Sequence, residues 1–109
     1  MSRNITIKQF NKEVLENIHL SVIYFKREWN GACQIIAPIY EELAKSYQDT
    51  VKFFIVDLDK EKQIAHEFGI IETPSILFFK NGSTIDYAVG LISKNLLILK
   101  IENALQYKN

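Results

Sequence analysis

Residues 29–33, Trp-Asn-Gly-Ala-Cys, contain the one cysteine of the chain, Cys33. A Cys-x-x-Cys pair reduces a disulfide in two steps: one thiolate attacks to form a mixed disulfide, and the second thiol then releases the product. Asn30 stands where the attacking thiol would be, and an amide cannot become a sulfur nucleophile. The sequence therefore predicts that this segment cannot complete a dithiol cycle on its own.

Asn30 is explained more simply as a helix cap than as a new catalytic group. Asparagine is favoured just before the first helical turn, where its side-chain oxygen accepts a backbone N–H bond, and such a cap is worth about 0.5–2 kcal/mol over alanine. No base or metal cluster accompanies Asn30, so nothing indicates that it performs chemistry itself. We expect a helix to begin at Asn30 and to carry Cys33 in its first turn.

The reactivity of Cys33 has two interpretations. A place in the first helical turn would lower the pKa of the thiol through the helix dipole, whereas burial would raise that pKa. Lys26 and Arg27 precede the segment and would favour a thiolate, but the strand could equally turn them to solvent. We expect a semi-buried, slow thiol; the alternative is a reactive one.

The composition is that of an ordinary globular protein. The 109 residues are 48% apolar and 24% charged, and thirteen basic residues balance thirteen acidic ones. We expect a single domain, residues 1–109, with neither nucleic acid nor an anionic membrane as partner. One cysteine excludes an internal disulfide, no apolar run reaches membrane-spanning length, and the first residues show no secretory signal. A cytoplasmic location is therefore expected.

Hydrophobic periodicity predicts alternating strands and helices. A capping box at Thr6-Ile7-Lys8-Gln9 begins a helix that places Phe10, Val14 and Ile18 on one face. Further strands are predicted at 19–25, 51–58, 75–79 and 84–89, and further helices from Asn30, from Lys60 to an end at Gly69, and from Ser93 to about Tyr107.

Turn signals complete the predicted order. Asn81-Gly82 between two short apolar runs indicates a tight antiparallel hairpin, and Pro38 should bend its helix. If Ile5-Thr6 forms a short first strand, the order is β-α-β-α-β-α-β-β-α. Such an order predicts an α/β fold whose sheet is mixed, with helices covering both faces.

Several short motifs follow one another at characteristic spacings. They are Trp29, Ala37-Pro38, Val56-Asp57-Leu58-Asp59, Phe68-Gly69-Ile70, Thr73-Pro74, Phe79-Lys80-Asn81-Gly82 and Gly90. In this order they resemble the thioredoxin family, and the resemblance runs from about Asn4 to Leu105. It implies the thioredoxin fold, a central mixed β-sheet of four to five strands flanked by helices on both faces.

The chain departs from the family at three positions that matter for redox chemistry. The family tetrapeptide is Cys-Gly-Pro-Cys, and Asn30 replaces its first cysteine. Tyr24 lies where relatives carry a buried aspartate that helps move protons to the second cysteine, and Ile55 lies where they carry the lysine that faces this aspartate. Because all three groups are absent together, the sequence favours a protein in which redox chemistry no longer constrains these positions.

The resemblance also implies a surface for binding an extended peptide. Thr73-Pro74 matches the cis-proline loop, whose backbone groups add a strand of substrate to the site in relatives. The expected shallow apolar rim consists of Trp29, Gly31, Ala32, Thr73, Pro74, Val89 and Gly90. The alternative is that these residues serve the fold alone, with Pro74 making a turn, Gly90 allowing close packing and Trp29 acting as a partial lid.

Two functions follow from these observations. The first is a redox-inactive or severely impaired member of the family that binds a protein or peptide at the rim. The second is a residual monothiol protein-disulfide oxidoreductase that acts through Cys33 in cell redox homeostasis. No cofactor is expected, and a metal site lacks a ligand set because there is one cysteine and no clustered carboxylates.

The last predicted helix has apolar residues on more than one face. At about 100° per residue, its core stripe consists of Leu97, Ile101, Ala104 and Leu105 with Ile98 at the edge, whereas Leu96 and Leu99 lie well off it. Isolated surface leucines are common, and the loop at Gly90-Leu91-Ile92 could cover Leu96. The other interpretation is that Leu96 and Leu99 mediate self-association or partner binding.

Overall fold

The computed structural model describes residues 2–108. Five strands and four α-helices alternate along these residues, and helix α1 continues into a π-helical segment at Asn11–Leu15. The elements are β1 (Ser2–Asn4), α1 (Ile7–Phe10), β2 (Leu20–Lys26), α2 (Gly31–Ser46), β3 (Lys52–Asp57), α3 (Lys62–Glu67), β4 (Ser75–Lys80), β5 (Ser83–Val89) and α4 (Lys94–Gln106).

The strands form one mixed sheet in the order β1-β3-β2-β4-β5. The pairs β1–β3 and β2–β3 are parallel, whereas β2–β4 and β4–β5 are antiparallel. The parallel part comes from strands joined by helices, and the terminal hairpin supplies the antiparallel edge. The predicted mixed sheet and its order of elements are confirmed.

The first strand lies earlier than predicted. It spans Ser2–Asn4 rather than Ile5-Thr6, although the Ile5 N–H still donates to the Ile55 carbonyl at 3.0 Å. The N–H of Thr6 donates to Gln9 Oε1 at 2.9 Å, as the capping box requires. Because this bond turns the chain into helix α1 at Thr6, the strand cannot continue there.

The predicted apolar face of the first helix ends before Ile18. Phe10 and Val14 are buried, but Ile18 is 64% exposed. Glu16 N–H bonds back to the Asn11 carbonyl at 3.0 Å, so the helix has widened into an i→i+5 turn by this point. The helix therefore stops at Leu15, and the 3.6-residue spacing no longer predicts where Ile18 lies.

Helices cover both faces of the sheet, as expected. On one face, α2 and α4 pack on the strands around the buried side chains of Tyr24, Tyr40 and Leu97. On the other face, Phe10, Phe68 and Phe79 form a cluster of rings whose centroids lie 5.1 to 5.8 Å apart. These two cores hold the sheet rigid between its helices.

Backbone conformation explains the β4–β5 hairpin. Asn81 and Gly82 both have positive φ, 55° and 80°, as a two-residue hairpin turn of this hand requires. A Cβ atom at Gly82 would lie 2.6 Å from the carbonyl oxygen of Leu15. Glycine is therefore required at this position for two reasons: its φ is positive, and the backbone at Leu15 lies too close for a side chain.

Tyr40→Phe should destabilise the fold. The buried Tyr40 hydroxyl lies 2.9 Å from the Val22 carbonyl oxygen and 2.7 Å from that of Phe54, and so links α2 to two central strands. Removing it should lower the free energy of unfolding by about 1–3 kcal/mol at neutral pH. Urea unfolding measures this, and Tyr87→Phe, at an exposed ring, is the matched control; an equal loss in both variants would contradict the assignment.

The same variant should change the alkaline stability profile. Burial raises the pKa of Tyr40 well above its ordinary value of 10.0, so the folded state keeps the phenol neutral. Above about pH 10 the unfolded chain binds fewer protons, and the free energy of unfolding falls by up to about 1.4 kcal/mol per pH unit for this group. Tyr40→Phe should remove that share of the slope above pH 10 and leave the slope below it unchanged.

Candidate functional site

Sheet topology brings the predicted site residues to one end of the molecule. Strand β2 ends there, β4 begins there and β5 ends there, because Phe25 pairs with Ser75 and Ser75 pairs with Val89. The loop into α2, the Thr73-Pro74 segment and residues 89–90 follow directly from these strand ends. The mixed sheet therefore assembles three segments that lie far apart in sequence.

The side chain of Asn30 connects two of these segments. Its Oδ1 accepts from the N–H of Cys33 at 2.9 Å, which is the predicted helix cap. Its Nδ2 donates to the carbonyl oxygen of Thr73 at 3.2 Å and lies 3.1 Å from Thr73 Oγ1. One amide thus caps α2 and holds the loop before Pro74, and a cysteine could not supply the two N–H donors.

Cys33 lies in the first turn of α2, three residues after Asn30. Its side chain is buried, with the residue 3% exposed, which is deeper than the semi-buried thiol that the sequence suggested. Its carbonyl oxygen accepts from the Tyr24 hydroxyl at 3.0 Å. Of the two preceding cations, Arg27 donates to the carbonyl of Ile71 at 3.4 Å and is thereby directed to the neighbouring loop.

Tyr24 is not an acid or base that could serve Cys33 near neutral pH. Burial raises the pKa of Tyr24 well above its usual value, and the adjacent Cys33 raises it further. The phenol therefore stays protonated and acts as a hydrogen-bond donor. Ile55, at the position where the resemblance implied a lysine, packs as a partly buried apolar side chain against the core.

The cis-proline loop is held from the strand side as well. The Thr73-Pro74 peptide bond is cis, and Pro74 itself is buried. Its carbonyl oxygen accepts from the N–H of Gly90 at 2.8 Å. The loop is therefore fixed on one side by Asn30 and on the other by the end of β5.

Two of the structural explanations for the rim residues are wrong. Trp29 is 92% exposed, so its indole covers nothing and is not a partial lid. A Cβ at Gly90 would meet no atom within 4 Å, so close packing does not require glycine; its φ of +81° does. Gly31 and Val89 are exposed, and Ala32 and Thr73 are half-buried, so the predicted rim is a mixed apolar surface open to solvent.

An apolar groove beside the rim was not predicted. Its volume is about 380 Å³, and it lies between the loop after α3 and the end of β5. The larger apolar residues of its lining are Phe68, Ile70, Ile71, Leu77, Tyr87 and Val89. Two features of the sequence could have indicated the groove. Two isoleucines follow Gly69 directly, and Tyr87 and Val89 lie two residues apart on an outer strand, so they share a face.

Neither a metal site nor a membrane span is present among residues 2–108. No group of three or more histidine, cysteine or carboxylate side chains there could hold an ion. No helix of the described chain is long and apolar enough to cross a membrane. The expected cytoplasmic location and the lack of a nucleic-acid partner stay predictions.

Proteins of known identity are similar to the chain over nearly its whole length. Residues 2–103 match the thioredoxin family. The thioredoxin of Rickettsia felis is 38% identical over 98 residues, which are 90% of this chain and 93% of that protein. Thioredoxin 1 of Synechococcus elongatus is 34% identical over 93 residues, which are 85% of this chain and 87% of that protein.

The solved structures agree with the sequence comparison. The crystal structure of Malassezia sympodialis thioredoxin, Mala s 13, aligns with a TM-score of 0.86 at 34% identity. The alignment covers 95% of this chain and 91% of that one, so the five-stranded mixed sheet with helices on both faces is the thioredoxin fold. The chain belongs to the thioredoxin family.

Proposed function

We propose that this protein is a redox-impaired member of the thioredoxin family that binds an extended segment of a protein partner at the rim. The observation that carries the proposal is the set of three contacts that Asn30 makes with Cys33 and Thr73. They hold the loop before Pro74 in place without any thiol. A surface fixed before binding loses less entropy when a partner docks.

The backbone of Thr73 supports this mode of binding. Among the described residues, none accepts a hydrogen bond from the Thr73 N–H, and the carbonyl keeps a second lone pair besides the one that Asn30 uses. These two groups can pair with an extended segment, as in strand addition. Trp29, next to Asn30, and Val89, which pairs with Ser75, are both exposed and can contact that segment.

The chemistry around Cys33 favours binding over catalysis. A monothiol oxidoreductase would need the sulfur of Cys33 to reach a disulfide of its substrate, but the residue is buried, with 3% of it exposed. The nearest phenol, Tyr24, stays protonated and cannot accept the thiol proton. Residual monothiol activity is therefore the second candidate, and a turnover assay separates it from the first.

The protein should not accelerate the reduction of insulin by dithiothreitol. Without an attacking cysteine the exchange cycle has no first step, so the rate of insulin precipitation should equal that without protein. Cys33→Ser is the matched variant and should behave identically. Acceleration that disappears in Cys33→Ser would overturn the redox part of the proposal and establish the monothiol enzyme.

Restoring the first cysteine should not restore an efficient reductase. Asn30→Cys recreates the dithiol, but Tyr24 and Ile55 still lack the carboxylate and lysine of the family, and general acid–base help is typically worth ~10²–10⁴-fold. We expect turnover in the insulin assay lower than that of an ordinary thioredoxin by roughly this factor. Turnover equal to that of an ordinary thioredoxin would contradict this expectation, because it would show that the missing carboxylate and lysine do not limit the reaction.

The binding part of the proposal is tested by Asn30→Asp. Aspartate caps a helix as well as asparagine does, so the bond to the Cys33 N–H stays, but a carboxylate has no donor for Thr73. Proteins recovered on the immobilised chain from native lysate should fall several-fold in this variant. Gln34→Glu, which adds the same charge at an exposed position of the same helical turn, should keep full recovery.

Unchanged recovery with Asn30→Asp would contradict a role for the Thr73 contacts in binding. Circular dichroism and urea unfolding show whether the variant keeps its fold, so that lost recovery can be assigned to the loop. Trp29→Ala provides a second test of the rim because this side chain is almost fully exposed and supports no other residue. Its loss should reduce recovery without lowering the free energy of unfolding.

A further inference from the structure

Two asparagines of the chain, Asn30 and Asn81, are followed directly by glycine. Asparagine is a thermolabile residue, and it loses its side-chain amide most readily before glycine, because glycine has no Cβ to keep the next backbone nitrogen away from the side chain. The two pairs therefore carry the same intrinsic chemistry. The contacts that hold each asparagine in the fold decide where that chemistry proceeds.

The reaction requires water and no other reagent. The backbone nitrogen of the glycine attacks Cγ of the asparagine and gives up its proton. The Cγ–Nδ2 bond breaks, and Nδ2 leaves with that proton as ammonia, so that a cyclic imide remains. Water then opens the ring: cleavage at Cγ gives aspartate, and cleavage at the main-chain carbonyl carbon gives isoaspartate. No group is oxidised or reduced.

The fold restrains Asn30 against ring closure. Its side chain would have to turn towards the Gly31 nitrogen, which breaks the 2.9 Å bond from the Cys33 N–H and both contacts of Nδ2 with Thr73. At the Asn30 ψ of 119° the Gly31 nitrogen does not lie beside the side chain, so the main chain must rotate as well. That rotation also disturbs the bond from the Gln34 N–H to the Asn30 carbonyl, at 3.1 Å.

Asn81 is held by much less. It is exposed in the turn between β4 and β5, and its side chain makes no hydrogen bond with any residue from 2 to 108. Within the same range, the N–H of Gly82 has no acceptor. The φ of Asn81 is 55°, a conformation that is disfavoured for a residue with a side chain, so rotation out of it is opposed less than at Asn30.

We propose that Asn81 is the site at which the folded chain deamidates, and that the contacts with Cys33 and Thr73 protect Asn30. A group held in this way reacts only in the fraction of molecules whose site has opened locally. The hydrogen bonds that cap α2 and hold the loop before Pro74 thus also preserve the amide that makes them.

The protection matters because the change at Asn30 is irreversible. Aspartate still accepts from the Cys33 N–H but has no donor for Thr73, and isoaspartate adds a methylene to the main chain where α2 begins. Either product ends the link between the helix and the cis-proline loop. The consequence for partner binding rests on the proposed function, whereas the order of deamidation at the two sites does not.

Peptide mapping by mass spectrometry tests the proposal on the whole chain, without any partner. Trypsin places the two asparagines in separate peptides, residues 28–45 and 81–94. In the folded chain at mildly alkaline pH, Asn30 should deamidate at least about tenfold more slowly than Asn81. In concentrated guanidinium chloride the two rates should be comparable, because the unfolded chain retains neither set of contacts.

Thr73→Val tests the contacts themselves. It removes one of the two acceptors of the Asn30 amide and keeps a β-branched side chain, so the rate at Asn30 should rise several-fold while that at Asn81 stays unchanged. Thr50→Val is the matched control, the same change at an exposed threonine between α2 and β3, and should alter neither rate.

Three results would overturn the proposal. They are equal rates at the two sites in the folded chain, an Asn30 rate that is equally low in the unfolded chain, and an acceleration at Asn30 no greater in Thr73→Val than in Thr50→Val. If circular dichroism shows Thr73→Val to be unfolded, the comparison of folded and unfolded wild type decides. Lost partner binding with the predicted order of deamidation intact would count against the proposed function alone.

Discussion

The hydrogen bonds of the Asn30 amide are the constraint on which the site depends. A helix that begins at the end of a buried strand needs an acceptor for its free N–H groups, and the adjacent cis-proline loop needs a donor from outside its own segment. Asn30 satisfies both needs with one side chain, through Oδ1 to Cys33 and Nδ2 to Thr73. The start of α2 and the loop before Pro74 are therefore held together by a group that cannot exchange disulfides.

The resemblance to the family implied a buried carboxylate and a lysine at positions 24 and 55, and this chain has neither there. A buried carboxylate and a lysine are costly to keep inside a core unless they are paired and used. Tyr24 and Ile55 fill these positions with an aromatic ring and an aliphatic side chain. The Tyr24 hydroxyl finds a partner in the Cys33 carbonyl at 3.0 Å, so no buried polar group is left unpaired there. The interior at these two positions is a packing core without a carboxylate or an amine.

The sequence predicted the features that depend on residues close together in the chain. The Asn81-Gly82 turn, the Asn30 cap and the long buried strands follow from residues that are close together in the chain. The exact start of β1 and the exposure of Ile18 depended on hydrogen bonds that break a regular pattern, at Thr6 and at Asn11. The periodicity that placed Ile18 on the apolar face of the first helix assumes that the pattern continues, and so it was wrong at that residue.

The motifs selected residues that the sheet brings to one end of the molecule, but they did not predict the role of each one. Position in the motifs was enough to select Trp29 and Gly90. Their roles required coordinates, because exposure of the Trp29 indole and the φ of Gly90 are set by loops that no local pattern describes. The groove at Ile71 and Tyr87 was missed for a related reason. It forms between a loop and an outer strand that are distant in sequence, and each side alone is unremarkable in composition.

The end of β5 serves the site with two successive residues. Gly90 turns its N–H inward to the Pro74 carbonyl and so supports the cis-proline loop. Val89, one residue earlier, turns its backbone N–H away from β4, because backbone groups alternate in direction along an antiparallel pair. Its side chain is 50% exposed and belongs to the proposed rim. One residue of the strand end therefore holds the loop, and the residue before it is open to a partner.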